Sequence, residues 1–339
     1  MIDISTLDES GLENLLSEPT EETRKAIAGL TGDIVVLGAG GKMGPTLAMM
    51  LRKATAGRQV YAVSRFSSKS ARSRLERAGI KTIEADILDE SKYRELPDAE
   101  NVFYLAGMKF GATGNQPLTW AMNTFLPALV AQHYMNSRIV AFSTGNVYPL
   151  VEITSRGASE KTGPEPVGEY AQSCLGRERM FEYFSGLHHT PVTLIRLNYA
   201  NEPRYGIIVD LTSKILNDTP IDLTMGAVNL LWQRDANDYI IRSISLAQSP
   251  PAILNVAGPD VVPIRHLALL IGRRLGKEPK FVSREAESAL LSDASFCMRT
   301  FGSPQTSLEQ MVSMIVQWVA SGKEILNKPT KYQVRNGRF

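Results

Sequence analysis

The stretch DIVVLGAGGKMGPTLAMMLRKA, residues 33–54, decides the fold. Its apolar run IVVLG leads directly into the glycine string Gly38 to Gly44, and the helical segment PTLAMMLRKA follows at once. Strand, glycine turn and helix in that order form the context that a phosphate-binding turn needs. Glycines permit the tight turn and a close backbone approach, and the helix start offers unpaired amides to a pyrophosphate. Gly38, Gly41, Lys42, Met43 and Gly44 are therefore the first candidate cofactor-binding residues. A glycine string alone also suits a purely structural turn, and its place in the first βαβ unit is what favours binding.

Outward from this stretch, short apolar runs alternate with helical segments. The runs are VYAVS at Val60, IKTIEA at Ile80, NVFYLAG at Asn101, RIVAFST at Arg138 and PVTLIRL at Pro191. Such alternation predicts an α/β chain with a Rossmann-like, doubly wound parallel sheet. Residues 31–200 are expected to form the cofactor domain. Residues 201–339 form mainly a smaller C-terminal substrate lobe, with some segments returning to the first domain. The lobe is expected over the carboxyl edge of the sheet, where doubly wound folds bind substrates, because Pro203, Gly206, Pro220, Gly226 and Pro259 break the later chain into short pieces. Residues 1–30 read as an amphipathic helical extension with Leu12, Leu15 and Leu16 on one face.

The chain has 339 residues, 43% of them hydrophobic, enough for a large core. A net charge of +2 with 21% charged residues provides no field that would point to nucleic acid or a membrane surface as partner. The first thirty residues lack a long apolar run, so neither a signal peptide nor a spanning segment is expected there. Cys174 and Cys297 are the only cysteines and lack ligand spacing. No metal site and no disulfide framework is expected, and a reducing, cytoplasmic setting fits.

The second strand ends at Ser64-Arg65, where an NAD-specific site would place an acidic residue for the ribose hydroxyls. Arg65, Lys69, Arg72, Arg74 and Arg77 stand there against the single acid Glu76. A guanidinium can grip a 2′-phosphate bidentately or lie across adenine, which favours NADP over NAD, with Lys42 as modest support. A solvated basic helix face is the plainer reading of the same run.

Several segments in order give the chain a family resemblance from about Gly32 to Val319. Gly38, Gly41 and Gly44 keep the spacing of the extended short-chain dehydrogenase/reductase superfamily, the NAD-dependent epimerase/dehydratase family. EADILD resembles that family's adenine-contacting segment at Asp86 and Ile87. YLAGMK (Tyr104 to Lys109) resembles the strand passing under the cofactor, at Leu105, Ala106, Gly107 and Lys109. Asn123 matches the family's active-site asparagine. AFSTGNVYP places Thr144 at the hydroxyl position that holds the substrate oxygen, and Tyr170 follows as the catalytic tyrosine. Later segments LIRLNYANEPRYG, LNVAGPD and FGSPQTSLEQMVSMIVQW agree with the family's order. They put Asn198, Arg204 and Arg234 where the substrate lobe meets the cofactor, although an arginine there serves a structural ion pair equally well.

One position departs from the pattern. Where the resemblance implies a lysine four residues after the tyrosine, the chain has Cys174. A lysine there would hold the nicotinamide ribose and lower the tyrosine pKa, whereas an unassisted tyrosine titrates near about 10 and is a poor base. Cys174 reads either as a thiolate favoured by the local field or as a small buried residue. Lys109 could supply the missing charge, a protonated Tyr170 could act only as an acid, or the chemistry could be lost. The resemblance implies hydride transfer between NADP(H), or NAD(H), and a hydroxyl or ketone of a sugar-like substrate. It also implies pairing of two copies through the helices that carry Asn123 and Tyr170. The alternative is a non-catalytic NADP-binding regulator of the same fold.

Overall fold

The computed structural model describes residues 3–55, 57–109, 111–328 and 330–338. Seven parallel strands form the central sheet: β1 Ile34–Leu37, β2 Val60–Ser64, β3 Lys81–Glu84, β4 Asn101–Tyr104, β5 Arg138–Thr144, β6 Val192–Leu197 and β7 Ala252–Val256. Their spatial order is β7-β6-β5-β4-β1-β2-β3. The order reverses between β1 and β4, which pair in register from Ile34↔Asn101 to Leu37↔Tyr104. Doubly wound sheets open a crevice at the carboxyl ends of their strands at such a switch point. All four residues of β1, Ile34–Leu37, are buried, so both faces of the strand are covered, which explains an unbroken apolar run in place of alternation.

Helix α1 (Glu9–Leu16) and helix α2 (Glu21–Ala28) form the N-terminal extension, and α3 (Gly44–Ala54) follows β1 with a proline in its first turn, where no amide partner is lost. Helix α4 (Lys69–Arg77) joins β2 to β3. Between β4 and β5 runs a helix in three parts: α5 (Gln116–Trp120), a π turn (Ala121–Phe125) and α6 (Leu126–His133). The 21-residue α7 (Gly168–His188) lies against β5. The remaining helices are α8 (Ile207–Leu216), α9 (Gln233–Arg242), α10 (Ile264–Leu275), α11 (Ser295–Phe301) and α12 (Leu308–Ala320).

The smaller lobe has its own apolar core, drawn from α8, α10 and α12 with Trp232 and Leu291, and the extension enters it through Ile4, Leu12 and Leu16. Leu15 is only partly buried beside them. Ile27 and Leu30 pack instead into the cofactor-domain core, so residues 1–30 bridge both cores. The returning segments are α9 and β7, whose Tyr239, Ile240, Leu254 and Val256 lie in that same core.

A buried polar chain ties α7 to the sheet. Glu178 accepts two hydrogen bonds from Arg196 of β6, from Nε at 3.0 Å and Nη2 at 2.7 Å, and a third from Ser143 Oγ of β5. Arg196 lies 4.6 Å from the Tyr148 ring, and the Tyr148 hydroxyl donates to Asn255 of β7 at 2.8 Å. Both ions are buried, so removing one leaves its partner uncompensated. Arg196→Met should cost about 3–5 kcal/mol, read as a lower urea midpoint. Adding Glu178→Leu to that variant should recover most of the loss.

Candidate active site

The glycine turn is set by close contacts at three of its glycines. Gly38 adopts φ +85°, and a Cβ there would lie 2.6 Å from the amide nitrogen of Ala106 in the segment after β4. A Cβ on Gly40 would lie 2.5 Å from Ser64 Oγ, and one on Gly44 would run into the Ala39 carbonyl. Gly41 differs: its Cβ would meet only the Gly38 carbonyl oxygen, at 3.3 Å. The protein's own packing therefore asks little of Gly41, and the space above it suits a group from outside the chain. Helix α3 starts at Met43 with no side-chain cap, leaving its first amides without a side-chain acceptor. Turn and helix start together form a cradle that fits a pyrophosphate.

At the far end of the crevice, Arg65 and Asp86 come together, with Nη1 to Oδ2 at 3.8 Å. Their side chains are 68% and 47% exposed, so water screens the pair and leaves the guanidinium available. The other cations of this run divide. Arg72 is held by Glu76 at 3.0 Å and by Glu84 at 2.6 Å, and Arg74 by Glu9 at 3.1 Å and Glu13 at 2.8 Å. Those two arginines are structural.

The reactive end is a cavity of about 240 Å³ at the carboxyl edge. From the sequence-predicted residues it gathers Lys42, Met43, Leu105, Gly107, Lys109, Thr144, Tyr170 and Asn198. Thr144 ends β5, and its Oγ1 accepts from the Asn146 side chain at 2.9 Å. Tyr170, half-buried in the first turn of α7, hydrogen-bonds through its side chain to Thr144 and to Cys174. Burial holds its hydroxyl well above the ordinary tyrosine value, so at neutral pH it keeps its proton and donates.

Cys174 is fully buried against Val147, Tyr148 and Ala158, and burial pushes its thiol up. Burial thus works against the thiolate alternative and favours the reading of Cys174 as a small packing residue.

The cation missing at Cys174 enters one turn further along. Arg177, which the sequence reading passed over, lines the cavity and is buried. It follows Tyr170 by seven residues, which returns it to within about 20° of the same helix face. Its Nη1 donates to the Phe142 carbonyl at 2.8 Å, its Nη2 donates to Asn123 Oδ1 at 2.7 Å, and its guanidinium lies 5.8 Å from the Tyr104 ring. A Cβ on Gly107 would collide with Nη2, so the glycine after β4 makes room for the guanidinium. The charge of Arg177 opposes the effect of burial on both Tyr170 and Cys174.

Asn123 sits in the π turn, a local geometry common at functional sites. Its amide is fully engaged: Oδ1 accepts from Met108 N at 2.8 Å as well as from Arg177, and Nδ2 donates to the Met108 carbonyl at 2.9 Å and Ser173 Oγ at 3.0 Å. It braces the segment after β4 against α7 and is absent from the cavity wall. Lys109 is on that wall, its ammonium pushed down to about 8 chiefly by burial. Lys42 does not point toward Arg65. Its Nζ donates to the Ala200 carbonyl at 2.8 Å beneath the Tyr205 ring, and burial pushes it down to about 7.

Two expected substrate residues lie elsewhere. Arg204 pairs with Glu202 at 3.1 Å, Glu9 at 3.3 Å and Glu13 at 3.5 Å. Arg234 donates to the Glu18 carbonyl at 2.8 Å and to Gln305 at 2.9 Å. Both hold the N-terminal extension, so the ion-pair reading applies to Arg204 and a tethering role to Arg234. Besides Arg177, the cavity wall takes in Asn146, Tyr199, Tyr205 and Thr330, which no local pattern announced.

The sequence matches the family described as NAD dependent epimerase/dehydratase over residues 34–204, just over half of the chain. No curated protein matches it by sequence. Among solved structures, it is similar to the UDP-glucuronic acid 4-epimerase of Bacillus cereus in complex with UDP-glucuronic acid and NAD, with 18% identity and a TM-score of 0.72, covering 85% of this chain and 99% of that one. It is also similar to the UDP-glucose 4-epimerase of Thermotoga maritima with UDP-glucose (18% identity, TM-score 0.70, 86% and 99% covered). An epimerase of Methanothermobacter thermautotrophicus aligns at 19% identity and TM-score 0.72, covering 90% of this chain and 97% of that one.

The single contact a side chain at Gly41 would make within the chain yields a direct test of the cradle. Gly41→Val should leave the melting temperature nearly unchanged and weaken dinucleotide binding at least about tenfold, equivalent to about 1.4 kcal/mol. Calorimetric titration with NADP+ and NAD+ measures it.

Proposed function

The chain belongs to the NAD dependent epimerase/dehydratase family, and from that premise we propose that it binds NADP in preference to NAD and oxidises or reduces a hydroxyl-bearing carbon of a sugar or sugar-derived substrate. The observation that carries this reading is the joined pair of hydroxyls, Thr144 and Tyr170, on a cavity wall continuous with the glycine-turn segment at Lys42 and Met43. The relatives solved with UDP-glucuronic acid and UDP-glucose support a sugar nucleotide as substrate.

The turn from Gly38 to Gly44 would hold the pyrophosphate, and Arg65 would hold the 2′-phosphate, with Ser64, Asp86 and Ile87 beside the adenosine. Leu105, Ala106 and Gly107 would lie under the nicotinamide half. When bound, the nicotinamide supplies the hydride donor or acceptor. Thr144 and Tyr170 hold the substrate oxygen by hydrogen bonds. In the direction of reduction, the protonated Tyr170 donates its hydroxyl proton to the carbonyl oxygen as the carbon is reduced. In the direction of oxidation, the substrate hydroxyl must lose a proton toward Tyr170, and the Arg177 charge eases the build-up of phenolate character there. Burial makes that phenolate costly, so reduction is the easier direction at neutral pH.

Exposed apolar side chains on the paired helices, Leu118, Trp120 and Phe125 with Tyr183 and Leu187 of α7, support association of two copies through this face. Two free, buried cysteines accord with a reducing, cytoplasmic setting. Among the described residues, no helix is long and apolar enough to cross a membrane. The protonated, lysine-free Tyr170 also favours a second reading, an NADP-binding regulator without turnover.

Absorbance of the reduced cofactor separates the two. Enzyme with NADP+ and UDP-glucuronic acid or UDP-glucose should show a reduced-cofactor band that grows faster as pH rises, since oxidation requires Tyr170 to accept a proton. Tyr170→Phe should slow it by about 10²–10⁴-fold. Arg65→Asp should weaken NADP+ more than NAD+ in calorimetry, and equal losses would remove the NADP preference. Cofactor binding without any band, from these or other sugar nucleotides, would favour the regulator.

A further inference from the structure

The first turn of α7 carries Tyr170, and little within the helix secures it. Val167 stands at the cap position and makes no side-chain hydrogen bond there. An uncapped first turn frays readily, because its amides lack partners and each opened residue regains backbone freedom. The anchors at Arg177 and Glu178 lie about two turns further along. Nearer by, Trp120 Nε1 donates to Glu169 at 2.6 Å and Asn123 Nδ2 donates to Ser173 Oγ at 3.0 Å, and neither bond is made at Gly168.

Gly168 is covered from the smaller lobe. Gly337 lies so close that a Cβ on it would be 2.2 Å from the Val167 carbonyl oxygen and 2.7 Å from Gly168 Cα. A Cβ on Gly168 would be 2.7 Å from the Gly337 carbonyl oxygen. The two residues take φ +72° (Gly337) and φ +82° (Gly168), which glycine adopts without strain. Backbone packs on backbone here, and a side chain on either residue would part them. Beside this contact a cavity of about 380 Å³ is lined by Asn336, Gly337 and Arg338 together with Glu169 and Tyr170. Tyr170 lines the reactive cavity as well.

The segment that delivers Gly337 is fixed in the lobe. Thr330 donates its amide to Asp210 of α8 at 2.8 Å and its hydroxyl at 2.6 Å. Tyr332 is buried in the lobe's apolar core. Arg335 donates to the Ser288 carbonyl at 2.6 Å and to Ser288 Oγ at 2.8 Å. Among the described residues no hydrogen bond joins residues 336–338 to residues 167–169. The hold on α7 therefore depends on where the lobe anchors place Gly337.

We infer that residues 330–338 form a strap by which the smaller lobe holds the first turn of α7, with Gly337, Gly168 and Arg335 as positioning residues for Tyr170. The inference rests on Tyr170 as the proton donor proposed above. Thr330 and Ile207 of α8 line the reactive cavity, so the strap connects the wall facing the substrate with the tyrosine that serves it. Misplacing a reacting group by about 1 Å can lower the rate about 10²-fold, so a modest loosening of this turn is enough to impair proton transfer.

Two variants release the strap in different ways. Gly337→Val drives it from α7 by bulk, whereas Arg335→Met removes its anchor at Ser288 and adds nothing at the helix. Hydrogen exchange of the full chain, without any ligand, reads the outcome. The amides of residues 171–174 bond to the carbonyls of the first turn. They should exchange at least about tenfold faster in both variants, while residues 181–184 of α7 and 211–215 of α8 keep their rates. In the working enzyme, kcat should fall at least about tenfold with NADP+ affinity unchanged. Unchanged exchange at residues 171–174 in either variant, or an equal rise throughout α7 and α8, would overturn the strap. A loosened turn with kcat intact, or a loss of NADP+ affinity matching the loss of kcat, would overturn the positioning role. Exchange is read without turnover, so the local rise in a chain that never forms reduced cofactor would uphold the strap and remove the enzyme reading.

Discussion

The double anchorage of α7 is the constraint on which the site depends. Two neighbouring residues of that helix, about 100° apart around its axis, are held by different partners: Glu178 is pinned by Arg196 and Ser143 on the sheet, and Arg177 is pinned by Asn123 and the Phe142 carbonyl. One anchor is an ion pair and the other a guanidinium on neutral acceptors. Together they fix the rotation of the helix about its axis, and with it the direction in which Tyr170 projects two turns earlier. An error of one residue in that register would turn the side chain by about 100°, away from Thr144.

The same geometry accounts for tolerance of cysteine at position 174. A lysine there would bring its ammonium to the face on which Arg177 already places a guanidinium, with Lys109 on the adjoining wall. Two or three cations confined in a cavity of about 240 Å³, with no carboxylate among its described lining residues, would repel one another strongly. Cys174 adds no charge and occupies little volume, and Gly107 yields the space that Nη2 of Arg177 takes. Cys174, Gly107 and Arg177 thus behave as one unit. The cost is a tyrosine that burial keeps protonated, a state suited to donating a proton to a substrate oxygen.

The sheet was legible because it is written locally. Six apolar runs coincide with β1 to β6, and the glycine spacing located the turn whose Gly38 and Gly44 contacts require glycine. Thr144 and Tyr170 were legible for a similar reason, each lying in a motif that marks its element. Arg177 was not. It lies in a run of alternating charge, Arg177-Glu178-Arg179-Glu182, that reads as a solvated face, and only its seven-residue offset from Tyr170 distinguishes it. The family resemblance placed Arg204 and Arg234 beside the substrate, and the partners that tie them to the N-terminal extension are remote: Glu9 is 195 residues from Arg204, and Glu18 is 216 residues from Arg234. No periodicity carries information over such separations.

Those remote pairs change how the two lobes relate. Glu9 and Glu13 of α1 hold Arg74 of the cofactor domain and Arg204 of the smaller lobe at once. Ile4, Leu12 and Leu16 enter one core while Ile27 and Leu30 enter the other. The extension therefore spans the seam between the lobes, joining them by buried apolar area and by a largely buried carboxylate shared between two arginines. Movement of the lobes about the crevice would have to break that clasp or pivot on it. Because Arg204 sits in the clasp and its neighbours Tyr205 and Gly206 line the cavity, the position of this wall is coupled to the extension through three consecutive residues of backbone.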